Sequence, residues 1–170
     1  MEVKIDEAYR LFPCFPVALV TCGTFERTNI ITIGMTHVFS FAPPMLGIGV
    51  APKRYSYQLL KEHREFVINL PTKEIAEAVM KCGSISGRTV EKFKHAGLTK
   101  IRSRKVSTGS IKECPIRFEC VIKQDFETGD HTWFVGEIVH CEIEEYKKED
   151  LLLYWGGEFR VPGKVVMERR

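Results

Sequence analysis

Between Asn29 and Leu60 the chain reads NIITIGMTHVFSFAPPMLGIGVAPKRYSYQLL, and this stretch restricts the fold more than any other. An apolar, β-branched run passes a Gly34-Met35-Thr36 step, meets Pro43-Pro44, and resumes as a strand-like run from Met45 to Ala51 that Pro52 stops. Proline lacks the N–H that a sheet interior needs, so the pattern is strand, turn, strand. Lys53-Arg54-Tyr55-Ser56 follows at once, and Leu59 and Leu60 then fall at helical spacing among polar residues. A buried strand thus delivers a basic, hydroxyl-bearing loop to the start of a helix. The unpaired N–H groups and positive dipole end of such a helix favour an anion, phosphate in particular. Ser56 is placed either to cap this helix or to donate to a phosphate oxygen, and Arg54 adds a fork of N–H donors. An ordinary capped helix with a solvated arginine accounts for the same residues.

The flanking sequence is rich in short strands. Asp6 to Phe12 predicts a short helix with Asp6 as its cap and Pro13 as its end, and Phe15 to Cys22 predicts a strand apolar on both faces. Glu65 to Leu70 is a further strand, and Thr72 is placed to cap a helix carrying Ile75, Ala76, Val79 and Met80 on one face as far as Cys82. Cys82 to Arg88 holds two glycines and is expected as a loop, Glu91 to Lys94 as a helical turn, and Leu98 to Gly109 as a polar surface excursion. Pro115 to Asp125 alternates, with Ile116, Phe118, Cys120 and Ile122 on one side. Thr128-Gly129-Asp130 turns into an antiparallel partner running from His131 to Tyr146. The tail holds Leu151 to Trp155, a Gly156-Gly157 turn, and a last strand or arm from Phe159 to Val166. Many short strands with two longer helices predict a mainly β fold, a closed barrel with flanking helices, because closure removes exposed strand edges. A chain of 170 residues without a long linker is expected to form a single domain over 1–170.

Several function classes are disfavoured. Lysine and arginine number 25 against 22 acidic residues, and basic residues do not interleave with aromatic ones, so no nucleic-acid partner is expected. Apolar runs are too short to cross a bilayer and Met1 to Leu11 lacks a signal-peptide core, so no membrane partner and a cytoplasmic location are expected. The six cysteines form no C-x-x-C pair and no zinc spacing; they read as small apolar side chains, and no metal is expected. No carboxylate pair stands out for acid–base work, since Asp and Glu fall mainly at helix starts, turns and exposed strand positions. No G-x-S-x-G elbow, Rossmann glycine motif or Walker loop occurs.

What remains is a set of phosphate-competent, amide-rich loops: Gly34-Met35-Thr36, Arg54-Tyr55-Ser56, Ser86-Gly87-Arg88 with Lys92, and Gly129-Asp130-His131. Such a set suits a phosphorylated planar cofactor whose reactivity is its own. In their order along residues 15 to 145 these pieces resemble the flavin reductase-like family of FMN-binding split barrels, which includes the flavoredoxins. The matching segments also include Asn29 to Thr36, Pro43-Pro44, Glu65 to Pro71, Glu113-Cys114-Pro115, Glu119-Cys120 and Phe134 to Glu137. Met35 stands where relatives often carry Trp, and the tail from Glu145 onward resembles the family only loosely.

The resemblance implies a six-stranded antiparallel split barrel and a homodimer with FMN near the subunit interface. Thr32, Ile33, Gly34, Met35 and Thr36 would line the flavin ring through backbone amides and threonine hydroxyls. Arg54 and Ser56 would hold the phosphate, with Asn29 and Tyr55 in the same cofactor-binding set. Ser86, Gly87 and Lys92 would complete the phosphate and ribityl contacts, and His131 would act as the catalytic residue near flavin and nicotinamide. The implied function is an FMN-dependent oxidoreductase that passes electrons from NADH or NADPH through bound FMN to a small-molecule or redox-protein acceptor, such as free flavin, ferric iron or a partner protein. The alternative is a flavoredoxin-type electron carrier, or an FMN-binding protein without NAD(P)H reductase activity of its own.

Overall fold

The computed structural model describes residues 2–168. Strands β1 (Phe15–Pro16), β2 (Ala18–Cys22), β3 (Asn29–Ile33), β4 (Thr36–Phe41) and β5 (Pro44–Val50) lead into helix α1 (Tyr55–His63). Strand β6 (Glu65–Leu70) precedes helices α2 (Ala76–Ser84) and α3 (Lys92–Ala96). Strands β7 (Lys100–Arg102), β8 (Gly109–Ile111), β9 (Ile116–Thr128), β10 (His131–Ile143), β11 (Leu153–Trp155) and β12 (Glu158–Arg160) complete the order. Among the described residues no helix is long and apolar enough to cross a membrane.

Seven strands form one antiparallel sheet in the order β3-β2-β6-β9-β10-β5-β4. Six of them, β2, β3, β5, β6, β9 and β10, surround a common core that includes Val20, Ile33, Ile48, Phe66, Cys120 and Phe134. The seventh, β4, is the hairpin partner of β5. The fold is therefore a mainly β antiparallel split barrel with one strand more than the expected six. It is split, as the resemblance implies, with β3 and β4 ending the ladder, whereas the strand pattern alone predicts closure.

A second apolar cluster lies outside the barrel, where α2 and α3 cover Leu19 and Ile30 with Val79, Cys82 and Phe93. Alternate residues of β2 thus serve two cores, and this explains why the strand is apolar on both faces. The stretch from Phe15 to Cys22 is divided, however. Pro16 has no N–H to offer, β1 pairs only with β11, and Val17 N–H donates to Leu152 O at 3.0 Å.

Other local expectations are corrected. The opening helix is a 3-10 segment, Ile5–Leu11, preceded by Lys4; Asp6 lies inside it and no side chain caps it. Thr72 precedes a short 3-10 turn, Lys73–Ile75, without a capping bond, and α2 runs two residues past Cys82 to Ser84. The polar excursion from Leu98 to Gly109 carries β7 and buries Val106 and Thr108. Its loop is gathered by Glu119, a carboxylate on β9 only 3% exposed. That carboxylate accepts from the N–H groups of Arg104 (2.8 Å), Lys105 (2.6 Å) and Val106 (3.2 Å). Alternation on β9 therefore does not leave its polar side in water: Arg117, 2% exposed, pairs with Glu144 at 2.6 Å and Glu142 at 3.2 Å.

Candidate flavin site

A cavity of about 460 Å³ opens between the edge strand β3, the loop from β5 into α1, and the segment that follows α2. It brings together Asn29, Thr32, Ile33, Gly34 and Met35 from β3 and its exit, Arg54, Tyr55 and Ser56 from the start of α1, and Ser86, Gly87, Lys92 and His131. Thr36 is not among the lining residues. It opens β4 opposite Ile48, and its N–H turns back to Gly34 O at 3.1 Å.

The wall on β3 follows from the sheet being open there. Lys92 Nζ reaches Ile30 O, so that carbonyl points away from β2. Residues two apart on a strand share an orientation, so the backbone N–H and C=O of Thr32 also lie on the unpaired edge. The Thr32 hydroxyl is committed elsewhere, since it donates to Val79 O at 2.7 Å and ties β3 to α2. The proton of the hydroxyl that the resemblance places at the flavin is thus committed to α2, and the Thr32 backbone is left on the open edge. Met35 packs over Gly49, whose N–H donates to Met35 O at 2.8 Å.

At the start of α1 the capping position belongs to Arg54, in extended conformation with no side-chain cap. Ser56 is therefore not the cap. It is 2% exposed within the first turn, and its Oγ accepts from Asn29 Nδ2 at 2.7 Å. The Ser56 O–H remains available to donate to a ligand beside the N–H groups of the first helical turn.

Opposite lies Gly87, for which a Cβ would stand 1.8 Å from Asn29 Oδ1. Only glycine allows the loop this close to β3. Ser86 shapes that loop, with its Oγ accepting from Arg88 N–H at 3.3 Å and its carbonyl from Val90 N–H at 3.2 Å. Arg88 lies over the Tyr55 ring, 5.2 Å from its centroid. At the rim, His131 Nδ1 meets Asp130 Oδ1 at 2.6 Å, and this hydrogen bond holds the Asp130 carboxyl below its ordinary range.

Among the described residues that line the cavity there is no Asp or Glu, whereas Lys53, Arg54 and Lys92 are present. Burial lowers the pKa of Lys92, and burial raises the thiol of Cys82 to about 11. Sequence reasoning places Lys53 in the basic loop and Cys82 to Ile85 in the loop after α2 without counting them in the cofactor set, and it misses Ile31 and Gly49 to Ala51. The small residues that end α2 were the available signal: a Cβ on Gly83 would come within 3.3 Å of Thr32.

The fold and site together are those of an antiparallel split barrel with a cationic cavity at a helix N-terminus, an environment that favours an anion. The sequence model described as a flavin reductase-like domain matches residues 11–163, and the chain belongs to that family. It is 43% identical over 122 residues to an uncharacterized protein of Archaeoglobus fulgidus, covering 72% of this chain and 68% of the relative. Flavoredoxin from Methanosarcina acetivorans has the same fold, with a TM-score of 0.86 at 24% identity over 99% of this chain and 95% of that one. An FMN-binding protein from Thermus thermophilus, solved with p-hydroxybenzaldehyde, also matches at 0.86 and 24% identity, covering 95% and 93%.

Proposed function

We propose that the cavity binds FMN and that the protein is an oxidoreductase carrying electrons from NADH or NADPH to a flavin, ferric or protein acceptor. The observation that carries this reading is the meeting, in one cavity, of a phosphate-competent helix start and an open strand edge, with no carboxylate among the described lining residues. Flavoredoxin and FMN-binding relatives of the same fold support it.

Bound FMN supplies the hydride-accepting ring and the electron relay. Arg54, the Ser56 hydroxyl and the first turn of α1 would hold the phosphate. The backbone at Thr32 to Met35 would face the ring, where fixed N–H donors stabilise the charge that reduction adds. His131, oriented by Asp130, would stand at the rim where a nicotinamide enters. Hydride transfer itself requires no side-chain acid or base, which leaves His131 an orienting role at the rim and fits a described lining without Asp or Glu.

A homodimer belongs to the same proposal. Phe39, Trp133 and Phe126 cluster with ring centroids 5.3 and 6.4 Å from Phe39, and Phe39 and Phe126 are 40% and 41% exposed. An aromatic patch of this kind on a sheet face suits a second copy of the chain.

The test is anaerobic addition of NADH and then NADPH to FMN-loaded protein. Bleaching of the yellow band by either supports a reductase. Persistence with both, with reduction by a chemical donor, assigns the protein to the electron carriers.

A further inference from the structure

Lys92 opens α3, where Glu91 caps the helix by accepting from the N–H groups of Phe93 (3.2 Å) and Lys94 (2.8 Å). A lysine in a first helical turn ordinarily stands in water, yet this one is 6% exposed. Its ammonium donates to Ile30 O at 2.8 Å and to Cys82 O at 2.7 Å. One acceptor lies on the open edge of β3. The other is among the last carbonyls of α2, which have no partner within the helix and sit at its negative end. An ammonium has three N–H donors; two are committed to backbone, and the third has no protein partner among the described residues.

These bonds fall at a revealing place. The segment from α2 to Gly87 runs back along β3, with Gly83 against Thr32 and Gly87 against Asn29. Lys92 fastens the end of α2 to β3 at Cys82 and Ile30, and the Thr32 hydroxyl bonded to Val79 O fastens the same two segments about one helical turn earlier in α2. Both walls line the cavity, and neither is hydrogen-bonded to the other as a strand pair.

We propose that Lys92 is a positioning residue that rivets the glycine-bearing wall to β3 and so sets the width of the flavin slot, rather than a ligand of the phosphate. The inference rests on the FMN reading and assigns Lys92 a different task within it. A phosphate ligand recognises FMN alone. A rivet serves any molecule with the flavin ring and ribityl chain, including riboflavin, which lacks the phosphate.

The experiment is fluorescence titration of the full-length, flavin-free protein with FMN and with riboflavin, using the parent, Lys92→Met and Arg54→Ala. Arg54→Ala is expected to weaken FMN and leave riboflavin unchanged. Lys92→Met is expected to weaken both by the same factor, about tenfold or more, the effect of losing charge-assisted hydrogen bonds. The resolved shoulders in the visible band of bound flavin should also blur, a change that lost fold stability alone would not produce. Should Lys92→Met fail to fold, Thr32→Val removes the neighbouring fastening and is expected to show the same parallel loss. Selective loss of FMN with riboflavin unaffected, or unchanged affinity for both, overturns the rivet. A parent that takes up neither flavin overturns the proposed function and this inference with it.

Discussion

Asn29 donates from Nδ2 to Ser56 Oγ at 2.7 Å, and this bond joins the first residue of β3 to the first turn of α1. Both side chains are buried, at 6% and 2% exposure. The bond fixes the angle at which the helix start faces the strand edge, and hence the relation between the two halves of the cavity. Asn29→Ala would leave Ser56 buried without this donor. We expect a loss of about 1–2 kcal/mol in denaturant unfolding of the flavin-free protein, together with weaker FMN binding. Unchanged stability would show that water replaces the amide.

Gly87→Ala tests the close approach of the opposite wall. Its Cβ would meet Asn29 Oδ1 at 1.8 Å, so the loop must withdraw or Asn29 must turn away from Ser56. FMN retention through gel filtration should fall sharply while the far-ultraviolet circular dichroism remains that of the parent. Parental retention would mean that the loop carries no part of the site.

Asp125 gives a pH dependence with a definite sign. Lys61 and Arg64, at the end of α1, both bond its carboxylate, and these bonds lower its pKa from 3.8. A carboxylate depressed in the folded state stabilises the fold above its unfolded value and loses that contribution as pH falls through the folded one. The partners are 45% and 39% exposed, so the contribution is modest, about 1 kcal/mol. Asp125→Asn should therefore be less stable than the parent at pH 7. The gap should close as pH falls below about 4. A gap constant with pH would contradict the assignment.

The cysteines should separate by burial. Desolvation pushes Cys22 up to about 12 and Cys82 to about 11, and it raises Cys114 and Cys120 further. Cys14 and Cys141 are exposed. Brief alkylation of native protein near neutral pH, read by peptide mass mapping, should label Cys14 and Cys141 well before the other four. Early labelling of Cys82 would show that the cavity wall opens.

Much of this was legible in the sequence because local chemistry decides it. Pro43-Pro44 and Pro52 bound β5, and the basic loop after it could only lead into α1. The parts that were not legible depend on residues far apart in the chain. Ser56 reads as a cap until Asn29, 27 positions earlier, is seen to bind it. Lys92 reads as a solvated charge or a phosphate ligand until two distant carbonyls claim it. Glu119 looks like an exposed strand residue, yet it orders a loop 13 to 15 positions away. The strand pattern alone predicts closure, whereas the resemblance implies the split barrel observed, whose open edge at β3 exposes backbone beside the cavity.

The measurement that bears most directly on the whole account is the visible spectrum of the purified full-length chain after incubation with excess FMN and removal of the free cofactor. The account predicts a yellow protein with stoichiometric flavin, which Arg54→Ala combined with Ser56→Ala depletes without unfolding the chain. Colourless protein that leaves the fluorescence of added FMN unquenched would contradict it.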